Sequence, residues 1–272
     1  MFVNIHIYKR SRENMVQARK SLGQNFLNNE EIIKQIVDAL DVFDQKQVLE
    51  VGPGEGALTK YLFSKYEAFK AVEKDARLIE YLPAKFPGLV LIHEDFLKFD
   101  LSNAFNDSFL VIGNFPYNIS SQILFKILEN RAEIPGMVGM FQKEMADRVA
   151  AKHGNKQYGV ITVLMQLFYE VDHIIDVSPE NFRPAPKVWS SVIRLKRKNS
   201  EISQENYLAI RRVVKQAFLQ RRKVLSNGLK SLLANYKGGD DWLDQVLRLR
   251  AEALSVEDFI RLTSVLKDLK NE

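Results

Sequence analysis

The 272-residue sequence contains no cysteine, which excludes a disulfide framework and a thiolate zinc site. It also has no stretch near the roughly 18 uninterrupted apolar residues that a membrane-spanning helix needs, so membrane insertion is not expected. No secretion signal is expected either. Met1 to Arg12 is broken by Asn4 and His6 and carries Lys9, Arg10 and Arg12 after its short apolar stretch, the reverse of the secretory order. There is no internal repeat and no low-complexity tract. These absences favour a cytoplasmic location. What remains is a globular composition, 46% hydrophobic and 27% charged, in a chain longer than one average domain of about 150 residues. One large domain with a smaller appendage is the expectation.

The net charge of +5 points to an anionic partner without naming it. Its distribution says more. From Lys196 to Lys237 eleven basic residues face two acids, Glu201 and Glu205. The first 24 residues carry Lys9, Arg10, Arg12, Arg19 and Lys20 against Glu13. A basic run alone is more often a solvated helix face, but an excess at both ends of the chain fits a nucleic-acid footprint on flanking segments.

Hydrophobic periodicity gives an alternating order of elements. Ile32, Ile33, Ile36, Val37 and Leu40 form an apolar stripe at helical spacing over residues 29–41. Gln47 to Val51 then reads as a buried strand that stops at Gly52. Helical spacing resumes over Ala57 to Lys65 and Leu78 to Phe86, with strands expected at Phe69 to Val72, Val90 to His93 and Phe109 to Ile112. Such alternation implies right-handed crossovers and a parallel sheet covered on both faces, with ligands beyond the carboxyl ends of its strands. Prolines deny helix to Phe182-Arg183-Pro184-Ala185-Pro186, and Val188 to Leu195 alternates like a strand. From Tyr207 the pattern turns helical: Tyr207, Ile210, Val213, Val214, Ala217 and Phe218 share a face, which Leu225, Leu229, Leu232 and Leu233 continue. The polar segment from Lys196 to Ser203 is the expected linker.

Two motifs carry chemistry. The first is Glu50-Val51-Gly52-Pro53-Gly54-Glu55-Gly56, after a strand and before a helix, where glycines let the backbone turn and approach a ligand. Glu73 ends the next strand, where a carboxylate can accept from ribose hydroxyls. Loop and acid together indicate an adenosine-containing cofactor, and a nicotinamide enzyme fits this loop as well. Asp95, after the following strand, reads equally as an acceptor for an adenine amine or as a helix N-cap.

The second motif is Asn114-Phe115-Pro116-Tyr117, after the fourth strand. An exocyclic adenine amine is a poor nucleophile because its lone pair is delocalised into the ring. Two acceptors gripping its hydrogens favour a pyramidal nitrogen and localise that pair. The Asn114 side-chain oxygen and the Phe115 carbonyl can do this, with Pro116 restricting Phe115 and so the direction of its carbonyl. Tyr117 offers a ring on which an unpaired base can stack. In isolation the tetrapeptide is as readily a proline turn with a buried tyrosine. At a strand's carboxyl end, in a chain with the glycine loop, the functional reading gains, and hydride transfer has no evident use for it.

Taken with Lys20-Ser21-Leu22-Gly23-Gln24-Asn25-Phe26-Leu27, Gln142-Lys143-Glu144, Tyr158-Gly159, Phe182 to Val188, Gln220-Arg221-Arg222-Lys223 and Arg250 to Ser255, these motifs resemble the ribosomal RNA adenine dimethyltransferases, a family that includes erythromycin-resistance and mitochondrial enzymes. The resemblance runs from about Lys20 to the C-terminus. It implies an α/β fold: a Rossmann-like, S-adenosylmethionine-dependent methyltransferase domain over residues 1–195, with a basic arm at 1–24, and a small all-α RNA-binding domain over 196–272. It further implies that Asn25, Leu27, Gly52, Gly54, Glu73, Asp95 and Asn114 hold S-adenosylmethionine, with Glu73 on the ribose and Asp95 on the adenine. Phe182 would join Tyr117 in sandwiching the base, although beside two prolines it reads more simply as a core anchor. Arg221, Arg222 and Lys223 would contact RNA. One departure is Phe115, where the family usually has Leu or Ile, so the pocket wall is expected to differ while the carbonyl role survives.

Within this family the small-subunit enzyme dimethylates two adjacent adenosines in a hairpin loop near the rRNA 3′ end during assembly, while the resistance enzymes modify a large-subunit adenosine. The Arg221 cluster and Arg250 to Ser255 resemble the former. The expected partner is small-subunit rRNA within an immature 30S particle, with the protein monomeric when free. The competing readings are the large-subunit enzyme, a nicotinamide oxidoreductase, and an RNA-binding assembly factor that keeps the fold without catalysis.

Overall fold

The computed structural model describes residues 16–19, 22–234 and 236–271. The basic residues expected to matter at the N-terminus, Lys9, Arg10, Arg12 and Lys20, lie outside these, as does Ser21. The chain divides into two compact units. The first runs up to Ala146 and takes in Asp172–Lys196, and the second comprises Asp147–Val171 and the residues from Arg197 onward.

The first unit is built on seven strands: β2 (Gln47–Val51), β3 (Ala68–Glu73), β4 (Val90–His93), β5 (Leu110–Asn114), β6 (Gly136–Gln142), β7 (Tyr169–Val177) and β9 (Ser190–Arg197). Their order is β4-β3-β2-β5-β6-β9-β7. The five strands from β4 to β6 pair in parallel, and β9 pairs antiparallel to β6. Parallel strands covered on both faces become continuous apolar runs, and Leu110, Val111 and Ile112 are fully buried. A separate two-stranded ladder joins β1 (Phe26–Leu27) to β8 (Phe182–Arg183).

Helices alternate with the strands: α1 (Glu30–Asp38), α2 (Thr59–Lys65), α3 (Ala76–Lys85) and α4 (Ser120–Glu129). In α1 the Asn29 side chain accepts from the Glu31 and Ile32 amides, and Ile32, Ile33, Ile36 and Val37 form its buried face. A side-chain cap of this kind satisfies amides that have no partner in the first turn. The connection from β2 leads to β3 and β4 on one side of the sheet, while β5 and β6 lie on the other. Strand order therefore reverses between β2 and β5, and that reversal opens a crevice beyond their carboxyl ends.

The second unit contains α6 (Val160–Gln166), α7 (Gln204–Leu219), α8 (Leu225–Gly228), α9 (Asp241–Val246) and α10 (Val256–Asn271), while α5 (Lys143–Val149) spans the division. An undivided first domain over 1–195 does not match these units, because 147–171 packs with the C-terminal helices. Phe168 meets Tyr207 edge-on at 5.5 Å, and Tyr158 lies 6.3 Å from Phe218, which stacks on Phe259. The apolar face of α7 does not continue through Leu233 either. The chain leaves the helix after Leu219 and re-forms it only at α8, where Gly228 packs so closely on α7 that an added Cβ would lie 3.2 Å from the Gln216 carbonyl oxygen.

Candidate active site

The crevice at the β2–β5 reversal holds a cleft of about 430 Å³, within the usual range for a cofactor or small ligand. Its lining contains Asn25, Leu27, Gly52, Gly54, Glu73, Asp95 and Asn114, together with Phe115, Pro116 and Tyr117. The topology brings them together. The glycine loop leaves β2, Glu73 ends β3, Asp95 follows β4, and Asn114 ends β5.

Each side of the cleft has a local cause. Gly52 and Gly54 take φ of 68° and 58°, a region in which a Cβ is strained. An added Cβ on Gly52 would meet nothing within 4 Å, whereas one on Gly54 would touch the Phe26 ring at 3.0 Å. The loop backbone at Gly52 is therefore open to a ligand. Glu73 is buried, with Oε1 accepting from the Lys74 and Asp75 amides at 2.8 Å each. Burial raises its pKa against the pull of these amides and that of Gly54. Asp95 Oδ1 accepts from the Leu97 amide at 3.0 Å, as a turn cap does, and the residue also lines the cleft. Burial works to raise the Asp95 pKa, but Lys74, 2.8 Å from Oδ2, the Leu97 amide and Lys98 together outweigh it, so the carboxyl sits below its usual value.

On the opposite side, the Asn114 side-chain nitrogen donates to the Asn25 carbonyl at 2.8 Å. The segment that supplies this carbonyl is held by Gln24, whose side-chain nitrogen donates to Asp75 Oδ2 at 3.0 Å. Asp75 in turn is paired with Arg77, which holds its carboxyl down at about 2. Gly23, at φ 65°, lets this segment approach the tetrapeptide, since a Cβ there would lie 2.9 Å from Asn118 Oδ1 and 3.4 Å from the Pro116 ring.

The Phe115 amide donates to the Met140 carbonyl at 3.1 Å, and among the described residues no donor reaches its own carbonyl. Its ring is only 1% exposed and lies 5.0 Å from the Phe141 ring, over Gly113 and Gly139. A Cβ at Gly139 would come within 2.3 Å of that ring. Two glycines thus make room for a larger side chain than the family's usual Leu or Ile, and the ring is taken into the core rather than standing as an open wall.

Tyr117 begins a single 3-10 turn, Tyr117–Ile119, and its hydroxyl lies 2.6 Å from Ser190 Oγ. Phe182 is not brought to the cleft. It pairs with Leu27 across the β1–β8 ladder and is 4% exposed within the apolar core. The ring packs in the apolar core, as its simpler reading as a core anchor expects. Arg221, Arg222 and Lys223 lie in the second unit. Arg221 is not a free cation, because it pairs with Glu252 at 3.0 Å and also donates to the Lys156 carbonyl. Arg222 and Lys223 are exposed.

Three features escaped sequence reading. Ser190 is bonded to Tyr117 from 73 positions away, with no local pattern to mark it. Thr59 donates to the buried Glu50 at 2.6 Å. The Gln24–Asp75 bond had only one sign in the sequence, the position of Gln24 in the Lys20–Leu27 motif.

A doubly wound sheet with an antiparallel strand beside β6, a glycine loop and strand-end acid at its reversal point, and a two-acceptor tetrapeptide facing them define an S-adenosylmethionine-dependent methyltransferase. Residues 15–268 match the family model for ribosomal RNA adenine dimethylase, and the chain belongs to that family. It is 48% identical over 256 residues to ribosomal RNA small subunit methyltransferase A of Cytophaga hutchinsonii, covering 92% of this chain and 98% of the relative. Identity to the protein of the same name from Flavobacterium johnsoniae is 45% over 255 residues, covering 93% and 97%. Among solved structures, a dimethyladenosine transferase from Plasmodium falciparum superposes with a TM-score of 0.78 at 25% identity, covering 90% of this chain and 98% of that one.

Proposed function

We propose that this protein transfers methyl groups from S-adenosylmethionine to the N6 amines of two adjacent adenosines, in a loop near the 3′ end of small-subunit rRNA, during subunit assembly. The observation that carries this reading is the pair of unpartnered acceptors at the end of β5. The Asn25 carbonyl occupies the Asn114 nitrogen, so the side-chain oxygen is left for a ligand, and the neighbouring Phe115 carbonyl is equally free among the described residues. Two acceptors at adjacent positions suit an amine with two hydrogens.

The cleft fits the cofactor. Gly52 leaves open backbone, Glu73 keeps its second carboxylate oxygen clear of the two amides that hold the first, and Asp95 would accept from the adenine amine. Asn25, Leu27 and Gly54 complete the cradle. The bound sulfonium supplies an already activated methyl group, so no strong base is required. Asn114 and Phe115 align the amine and stabilise the charge it gains, and its proton passes to solvent after alkylation. Tyr117 holds the base by stacking. Arg222 and Lys223 supply phosphate contacts from the second unit.

The relatives named for the small subunit support that target over the large-subunit one. The protein acts in the cytoplasm, monomeric when free, on an immature particle. Among the described residues no helix is long and apolar enough to cross a membrane. Incubating immature small subunits with labelled donor tests the activity: incorporation by the wild type that is lost in Asn114→Ala is expected. Binding without incorporation by the wild type would favour an assembly factor without catalysis.

A further inference from the structure

The geometry points to Ser190 as the positioning residue for Tyr117, fixing the ring that stacks the target base through a hydroxyl–hydroxyl bond. This rests on the base-stacking role proposed for Tyr117. Ser190 opens β9 opposite Gln142 of β6 in the antiparallel register, and it is fully buried. A buried serine hydroxyl needs a partner, and most find one in the nearby backbone. This one bonds instead to Tyr117, with 2.6 Å between the two oxygens.

Tyr117 is thereby held at both ends. Its backbone is fixed in a single turn, where Ser120 Oγ donates to the Tyr117 carbonyl at 3.1 Å and lies 3.3 Å from that of Pro116. Its tip is fixed by a strand that belongs to the rigid sheet. With the hydroxyl occupied inside the protein, the ring meets a ligand through its carbon face, the surface on which a base stacks. The bond also gives the tyrosine hydroxyl a function that a phenylalanine cannot supply. Losing it frees the ring to swing and lowers the fraction of bound bases correctly aligned.

The test is a double-mutant cycle on methyl transfer to immature small subunits, with S-adenosylmethionine affinity measured alongside. Tyr117→Phe and Ser190→Ala are each expected to lower kcat/KM roughly three- to tenfold, the scale of one neutral hydrogen bond, without changing donor affinity. The double variant is expected to be no worse than either single one. Ser190→Thr, which keeps the hydroxyl, retains the coupling and guards against a folding defect in the alanine variant. An unaltered rate in Ser190→Ala, or losses that multiply in the double variant, overturns the inference. Tyr117→Ala separates the two levels. A full rate there removes the base-stacking reading and this inference with it, whereas a large loss beside a silent Ser190→Ala removes the inference alone.

Discussion

The side-chain nitrogen of Asn114 lies 2.8 Å from the carbonyl oxygen of Asn25, a contact that decides which way the amide faces. A carboxylate in its place has no donor, and one of its oxygens would confront that carbonyl. Asn114→Asp is therefore expected to lose methyl transfer about as severely as Asn114→Ala, on the order of 10²-fold in kcat, the scale of losing one preorganised polar contact at a reacting group. If acceptor strength alone mattered, the carboxylate would match or exceed the amide. Steady-state kinetics of the two variants at saturating donor decide between these.

The Phe115 carbonyl depends on where its ring is seated. An added Cβ at Gly139 would lie 2.3 Å from that ring and 2.8 Å from Phe141, whereas one at Gly113 would lie 2.6 Å from the Val51 carbonyl oxygen. Gly139→Ala is expected to cost about 1–3 kcal/mol through overpacking and to lower kcat as the carbonyl shifts. Adding Phe115→Leu, a smaller residue that the resembling family commonly has there, is expected to restore both in part, because it removes the closer clash with the Phe115 ring and leaves the contact with Phe141. Gly113→Ala is not rescued, since its obstacle is backbone. Thermal melts and turnover of the four variants test the set.

The sequence made the frame of the first unit legible where periodicity was strong and caps were present. Gln47–Val51 and Val90–His93 are strands over those residues, and the Asn29 cap starts α1. β6 was not read, because Gly136 and Gly139 look like breakers in a strand. They are small so that aromatic rings can lie over them: an added Cβ at Gly136 would lie 2.3 Å from Phe43, just as one at Gly139 meets Phe115. The cleft residues were legible because they follow strand ends in a parallel sheet. The pairing that buries Phe182 was not legible because nothing local shows that β8 pairs with β1, and Ser190 was invisible because its partner is distant in sequence.

Glu50 gives the cleft a pH signature. Wholly buried, it has its pKa pushed up to about 8 by desolvation, against the Thr59 hydroxyl that bonds it, from a usual 4.5. Between those values the folded chain holds a proton that the unfolded chain releases. The contribution is thus fully present below about pH 4.5 and is lost as pH rises through about 8. Glu50→Gln keeps an acceptor for Thr59 and cannot ionise. Its Tm is expected to exceed that of the wild type by a few degrees above about pH 8 and to converge with it near pH 5. Parallel melting curves at both ends of that range would expose the opposite trend if Glu50 were ionised throughout.

Arg221 and its neighbours separate structural from RNA-binding charge within one cluster. Arg221 is committed to Glu252 and to the Lys156 carbonyl, so Arg221→Ala is expected to lower the Tm of the chain. It should leave the salt dependence of RNA binding nearly unchanged. Arg222 and Lys223 are exposed, and a cation that meets phosphate releases a counterion. Each reversal to Glu is therefore expected to weaken binding to small-subunit rRNA and to reduce the slope of log K against log salt by about one. Neither residue lines the cleft, so donor affinity is expected to stay at the wild-type value. Filter binding across a salt series distinguishes the residues, and an Arg222→Glu variant with an unaltered slope would remove it from the RNA-contacting surface.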